Sequence, residues 1–170
     1  MVIYDFLYMS SYMLVIIGFP KCGTISLHQY LIDKYGDNNV KRDECVFQPN
    51  AVQYFKQRWG NMATPIIAFR DLPERCWSWY HHIAPDMTYY KFLHSHARKE
   101  NKFGELNPIR QCNIKKWVTP WLELKPLFFS FEAMVKDPAF PHLNESKEKL
   151  KMTTTHRDLT IRLLREDLLS

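Results

Sequence analysis

Met13-Leu14-Val15-Ile16-Ile17-Gly18-Phe19-Pro20-Lys21-Cys22-Gly23-Thr24 runs from an unbroken apolar segment into a turn bracketed by two glycines. Apolar residues in succession, without polar alternation, describe a strand covered on both faces, as in a parallel sheet. A helix is expected directly afterwards, from Thr24 to Tyr35, with Leu27, Tyr30 and Leu31 at helical spacing and Gly36 as its stop. In a strand–turn–helix of this kind the turn's backbone N–H groups converge on an anion, and the positive end of the helix dipole reinforces them. The loop is therefore a candidate phosphate cradle. It is not a Walker A loop, which needs Gly-Lys-Ser/Thr in direct succession, whereas Lys21 stands two residues before Gly23. Steric demand alone also puts glycine in strand–helix turns, so the loop by itself does not decide the function.

Outward from this loop, strands and helices alternate. Asn50 is placed to cap a helix reaching Trp59, with Gly60 as its stop, and Pro65 to Phe69 reads as a second strand. The turn Arg70-Asp71-Leu72 follows, and Pro73 opens a helix carrying Glu74 to His82. Thr88 to Lys99 and Ile109 to Leu122 have helical patterns, the latter bent or ended by Pro120. Leu127 to Phe131 is a third strand, and Thr155 is placed to cap a last helix through Leu169. The expected fold is α/β: a parallel β-sheet flanked by helices in a single small domain over residues 1–170. Within it residues 1–12 form an N-terminal extension, 13–138 the core, and about 155–169 the C-terminal helix.

Composition removes several classes. With 46% hydrophobic and 15% aromatic content and only 24% charged residues, the chain folds rather than staying disordered. Cys22, Cys45, Cys76 and Cys112 are widely spaced with no C-x-x-C pair, which fits neither a zinc site nor a disulfide scaffold. Across 170 residues, 23 Lys+Arg against 18 Asp+Glu give a net charge of +5. This mild excess suits an anionic ligand and is not the signature of a nucleic-acid binder. Met1 to Phe19 is apolar, but no basic residues precede it and Asp5, Ser10 and Ser11 interrupt it. Neither a signal peptide nor a membrane span is expected, and the expected location is the cytoplasm.

Ile16 to Leu27 resembles the 5′-phosphosulfate-binding loop of the P-loop sulfotransferases, which use 3′-phosphoadenosine 5′-phosphosulfate (PAPS). The family's lysine, glycine, threonine and hydroxyl residue correspond to Lys21, Gly23, Thr24 and Ser26. Ile66 to Tyr80 is similar to the family's 3′-phosphate segment, in which a strand ends in arginine and a serine follows eight residues on, as Arg70 and Ser78 do. Phe128 to Pro138 looks like the family's late strand, which runs into an aromatic-Glu pair and closes on Asp-Pro. The three segments come in the family's order across Met13 to Pro138. Three departures stand beside them. Leu72 holds the place of a usual proline, with Pro73 one residue late; the chain is short for the family; and no Arg-Lys-Gly motif lies near the C-terminus.

The resemblance implies PAPS as co-substrate, bound through Lys21, Cys22, Gly23, Thr24, Ile25 and Ser26 at the 5′ end and through Arg70 and Ser78 at the 3′-phosphate. Charge builds on the bridging oxygen of the leaving phosphate during transfer, and Lys21 is the expected catalytic cation. No metal is expected. The acceptor is a hydroxyl, with carbohydrate among the candidates. By position after the loop lysine, Glu44 in Asp43-Glu44-Cys45-Val46-Phe47 matches the family's glutamate base, with Asp43 as its neighbouring alternative. A solvated acidic pair opposite Lys41 and Arg42 is the bland reading of the same residues.

Two other functions compete: a P-loop kinase of nucleotides or small molecules, and a non-catalytic nucleotide binder. The histidines (His81-His82 at a helix end, His94-x-His96) lack an identifiable third ligand, and the basic stretch Arg98-Lys99-x-x-Lys102 with Arg110, Lys115 and Lys116 reads as a solvated face. Arg75 is expected to pair with Glu74, Asp71 or the sheet edge.

Overall fold

The computed structural model describes residues 13–48, 50–84, 86–94, 107–141, 143 and 151–169, with side chains up to residue 166. His96, the Arg98–Lys102 stretch and residues 1–12 lie outside the described residues.

Among the described residues the sheet has four parallel strands in the order β2-β1-β3-β4: β1 (Met13–Ile16), β2 (Val40–Arg42), β3 (Ala63–Phe69) and β4 (Leu127–Ser130). β1 aligns Leu14 with Val40 on one side and Met13 with Ala63 on the other, while β3 aligns Ile66 with Leu127. The chain first steps from β1 outward to β2, then returns across β1 to β3 and β4. The direction reverses at β1, so the crevice beyond that strand's C-terminal end is the switch point where ligands bind in open parallel sheets.

Pro65 sits inside β3, in register with Val15. Ile17 donates to the Ile66 carbonyl at 3.1 Å, so residue 66 faces β1 and residue 65 turns its nitrogen the other way. The ladder to β4 starts only at Ile66, so the N–H that proline lacks falls where no strand yet needs it.

Between strands run α1 (Thr24–Tyr35), α2 (Ala51–Trp59), α3 (Leu72–Ile83), α4 (Tyr89–Leu93) and α5 (Ile114–Val118), and after β4 come α6 (Phe131–Met134) and α7 (Thr154–Leu169). Gly36 and Gly60 end α1 and α2 at φ 82° and 77°, each N–H closing on a carbonyl four residues back. Asn50 does precede α2, but at φ 56° and without a side-chain capping bond. The helix expected over Ile109–Leu122 is broken into a 3-10 turn (Arg110–Cys112), α5, and a second 3-10 turn (Thr119–Leu124). Asn113 caps α5 and Pro120 stops it from continuing.

One core wraps the sheet, with Val15, Ile16, Ile17, Leu27, Ile66, Ile67 and Trp121 sealed from solvent. A second cluster joins α3, α4 and α7 around Cys76, Trp77, Trp79, Tyr89 and Phe92. There Tyr89 and Thr160 share a buried hydroxyl–hydroxyl bond at 2.9 Å. This second cluster fixes α3 beside the C-terminal end of the sheet. Among the described residues no helix is long and apolar enough to cross a membrane.

Candidate functional site

The glycine-bracketed loop leaves β1 and enters α1 with its shape dictated by close packing. A Cβ on Gly18 would lie 2.7 Å from Thr24 Cγ2, and one on Gly23 would lie 2.6 Å from Phe131 Cδ2. Gly23 also sits at φ 74°, a left-handed conformation that glycine adopts without steric cost. Lys21 occupies the same region at φ 65° without that freedom, at a cost of about 1–2 kcal/mol. The surrounding fold holds the strain in place.

α1 starts with no side-chain cap and no acidic residue in its first turn. Its first N–H groups have no carbonyl within the helix to accept them, and they carry the positive end of the helix dipole. Thr24 and Ser26 are buried, whereas Ile25 is exposed. The Ser26 hydroxyl is engaged by Leu143, donating to its carbonyl at 3.2 Å and accepting from its N–H at 3.1 Å.

Two arginines close on the loop. Arg70, just after β3, donates from Nη1 to the Lys21 carbonyl at 3.4 Å, lies 4.8 Å from the Phe131 ring centre, and has Glu74 at 3.8 Å. Arg75, for which the sequence suggests a pairing with Glu74, Asp71 or the sheet edge, is instead buried beneath the loop with 1% exposure. Its Nε donates to the Pro20 carbonyl at 3.0 Å, Nη2 to Gln111 Oε1 at 2.8 Å and Nη1 to Cys112 Sγ at 3.2 Å. Phe19 and Trp79 offer it their rings at 5.4 and 5.3 Å. No described carboxylate pairs with it, so its positive charge adds to the field of the loop. Cys22 lies within that field, yet burial outweighs the nearby Arg75 and Arg70 charges and pushes its thiol up to about 11. It contributes backbone, not a thiolate.

The Arg70-Asp71 turn is held from several sides. Asp71 caps α3 by accepting from the Glu74 N–H, receives both terminal nitrogens of Arg157 from α7 at 2.9 and 3.1 Å, and donates its own N–H to Glu132 Oε1 at 2.8 Å. Burial opposes ionisation of Glu132. Hydrogen bonds from the Asp71 and Glu132 N–H groups and the Ser130 hydroxyl outweigh it and hold the carboxyl below its usual range. Ser78 lies half-buried on α3, one turn beyond Glu74. Near the end of α3, His82 is held below the ordinary histidine range, first by the charge of Lys21 and then by burial.

The two acidic candidates after β2 differ in their engagements. The Asp43 N–H donates to the Ile16 carbonyl at 2.8 Å, which ties this segment to the end of β1. Its carboxylate accepts from Trp59 Nε1 at 3.0 Å and meets Arg58 at 3.4 Å. Glu44 has only Arg42, at 4.0 Å, among the described residues, and its side chain is one-third exposed. Phe47 packs edge-on against Phe19 with ring centres 5.3 Å apart, bringing this segment against the loop.

The structure thus gathers the residues of 21–26 and Arg70 around one loop, with Ser78 on the helix that follows Arg70. It adds Arg75, Phe131, Glu132 and Arg157, which sequence reasoning did not assign to the site. Only the aromatic-Glu pair, Phe131-Glu132, carried a signal that could have pointed to them.

No family model and no curated protein matches the chain. Among solved structures, a crystal structure of a sulfotransferase from Alicyclobacillus acidocaldarius is similar to it, with a TM-score of 0.63 and 15% sequence identity over 95% of this chain and 94% of that one. At that identity the likeness concerns the fold, and it extends over nearly the full length of both chains.

Proposed function

We propose that the chain is a sulfotransferase that moves a sulfuryl group from PAPS to an acceptor hydroxyl. The observation that carries this reading is the setting of Lys21, at positive φ between two glycines, before an uncapped helix, with Arg70 on its carbonyl. The shared fold with a sulfotransferase supports it. The residues fit the nucleotide in kind: an N-terminal helix turn without acidic residues, two arginines and a lysine suit a ligand with several phosphate and sulfate charges.

When bound, the nucleotide supplies the sulfuryl group. The N–H groups from Cys22 to Ser26 hold its 5′ end, and Arg70 with Ser78 hold its 3′-phosphate. Lys21 neutralises the charge that grows on the bridging oxygen, an electrostatic task that needs no proton transfer. Glu44, the less engaged of the two carboxylates, takes the proton of the acceptor hydroxyl.

Calorimetry with 3′-phosphoadenosine 5′-phosphate and with AMP tests the nucleotide half of the reading. The bisphosphate should bind at least about tenfold tighter, the worth of one added charge-assisted contact. Equal affinity removes the 3′-phosphate assignment. Transfer of labelled sulfate from PAPS to a hydroxyl acceptor tests the chemistry, and phosphoryl transfer from ATP in its place would make the protein a kinase.

A further inference from the structure

A cleft of about 610 Å³ opens between the first turns of α2 and the segment formed by α5 and the 3-10 turn after it. Because helices that follow parallel strands start at the strands' C-terminal edge, the start of α2 lies on the same side of the sheet as the Lys21 loop. Phe47 joins the two regions. It stands edge-on to Phe19 in the loop, and edge-on to Trp117 in the cleft wall with ring centres 5.0 Å apart.

The cleft is rich in donors. Trp121 lines it, is fully buried, and has its indole Nε1 without a hydrogen-bond partner among the described residues. Leaving such a donor unmade costs about 1–3 kcal/mol. α2 begins beside it with no side-chain cap and no acidic residue in its first turn. The N–H groups of Val52 and Gln53, both cleft residues, find no acceptor within the helix. Charge points the same way. Lys56 is matched by Glu123 at 2.8 Å, while Lys116, lying over the Trp117 ring at 4.6 Å, leaves the lining with an excess positive charge.

We infer that this cleft is an acceptor subsite, and that it holds the carboxylate of a hydroxylated small molecule between the Trp121 indole N–H, the first turn of α2 and Lys116. The Trp117 ring supplies an apolar wall for the body of the ligand. The inference rests on the sulfotransferase reading, because it assigns the cleft to the molecule whose hydroxyl is sulfated.

Titration of the full chain with D-glucuronate, 3-hydroxybutyrate and D-glucose tests it, followed through the indole N–H resonances in ¹H–¹⁵N spectra. Trp121→Phe identifies the resonance of Trp121. Glucuronate should move that resonance and bind at least about tenfold tighter than glucose, which lacks only the carboxylate. If 3-hydroxybutyrate binds as well, the subsite accepts hydroxy acids in general; if it does not, sugar acids are the class. Lys116→Gln, a change on an exposed side chain, should weaken glucuronate binding at least about fivefold and leave the affinity for 3′-phosphoadenosine 5′-phosphate unchanged. Equal binding of glucuronate and glucose, or a Trp121 resonance that neither acid moves, overturns the inference. The nucleotide titration separates the two readings. Tight bisphosphate binding without glucuronate binding removes the subsite alone, whereas the converse removes the sulfotransferase assignment and leaves a carboxylate site.

Discussion

The Nε of Arg75 donates to the carbonyl oxygen of Pro20 at 3.0 Å, so a residue of α3 holds the Lys21 loop from beneath. The guanidinium also donates to Gln111 and Cys112, both buried, and supports the loop while keeping a positive charge under it. Removing it should therefore damage stability and ligand affinity together. Arg75→Met leaves the Pro20 and Gln111 oxygens buried without their donor, a loss of about 2–4 kcal/mol. Urea denaturation should register this, and Arg75→Lys should recover little of it because an ammonium cannot span three acceptors in a fork. An unchanged midpoint in the methionine variant would mean that the loop stands by itself.

Lys21→Ala should abolish most turnover, by roughly 10²-fold or more, with stability near that of the wild type. Lys21→Gly should be as inactive yet more stable by about 1 kcal/mol, since it removes the cost of a side chain at positive φ. Thermal denaturation and a transfer assay on both variants check the pair. A glycine variant no more stable than the alanine one contradicts the strained backbone.

Asp43 and Glu44 should separate by readout. Asp43→Asn weakens the contacts to Trp59 and Arg58 and should act on stability. Glu44→Gln keeps shape and removes the basic oxygen; turnover should fall by about 10² or more while nucleotide affinity holds. If the asparagine variant is the one that loses turnover at full stability, the base is Asp43.

His82 supplies a pH signature. Its pKa lies below the ordinary 6.5, with Lys21 as the larger cause. The unfolded chain then binds more protons than the folded one near that value, so this residue lowers stability as pH falls through about 6.5 and below. Following the His82 ring protons by NMR, Lys21→Met should raise the titration midpoint toward the ordinary value. A midpoint that stays in place would mean that Lys21 does not approach His82.

Much of the scaffold was legible in the sequence, because parallel-sheet strands announce themselves as apolar runs and glycines mark the ends of α1 and α2. β2 was not legible. Val40-Lys41-Arg42 is three residues long and lies at the sheet edge, where charged side chains reach water, so it carries no apolar run. Over Ile109–Leu122 apolar periodicity continues through α5 into a 3-10 turn and so reads as one helix, while Asn113 and Pro120 divide the backbone. At the site, the loop and Arg70 were found from local pattern. Arg75 was missed for a physical reason: arginine in a helix ordinarily faces solvent, and only tertiary packing brings Pro20, Gln111 and Cys112 to it.

The order of the strands has a consequence for assembly during synthesis. Each pairing in this sheet is parallel and joins distant parts of the chain, with no hairpin to nucleate it. The loop leaves the ribosome before its partners: Ile17 needs the Ile66 carbonyl, and the arginines that grip Lys21 and Pro20 follow 49 and 55 positions later. The anion cradle therefore cannot mature cotranslationally in the order in which it is made. It waits for β3 and α3 to emerge and dock, so ligand capture follows that docking rather than the synthesis of the loop itself.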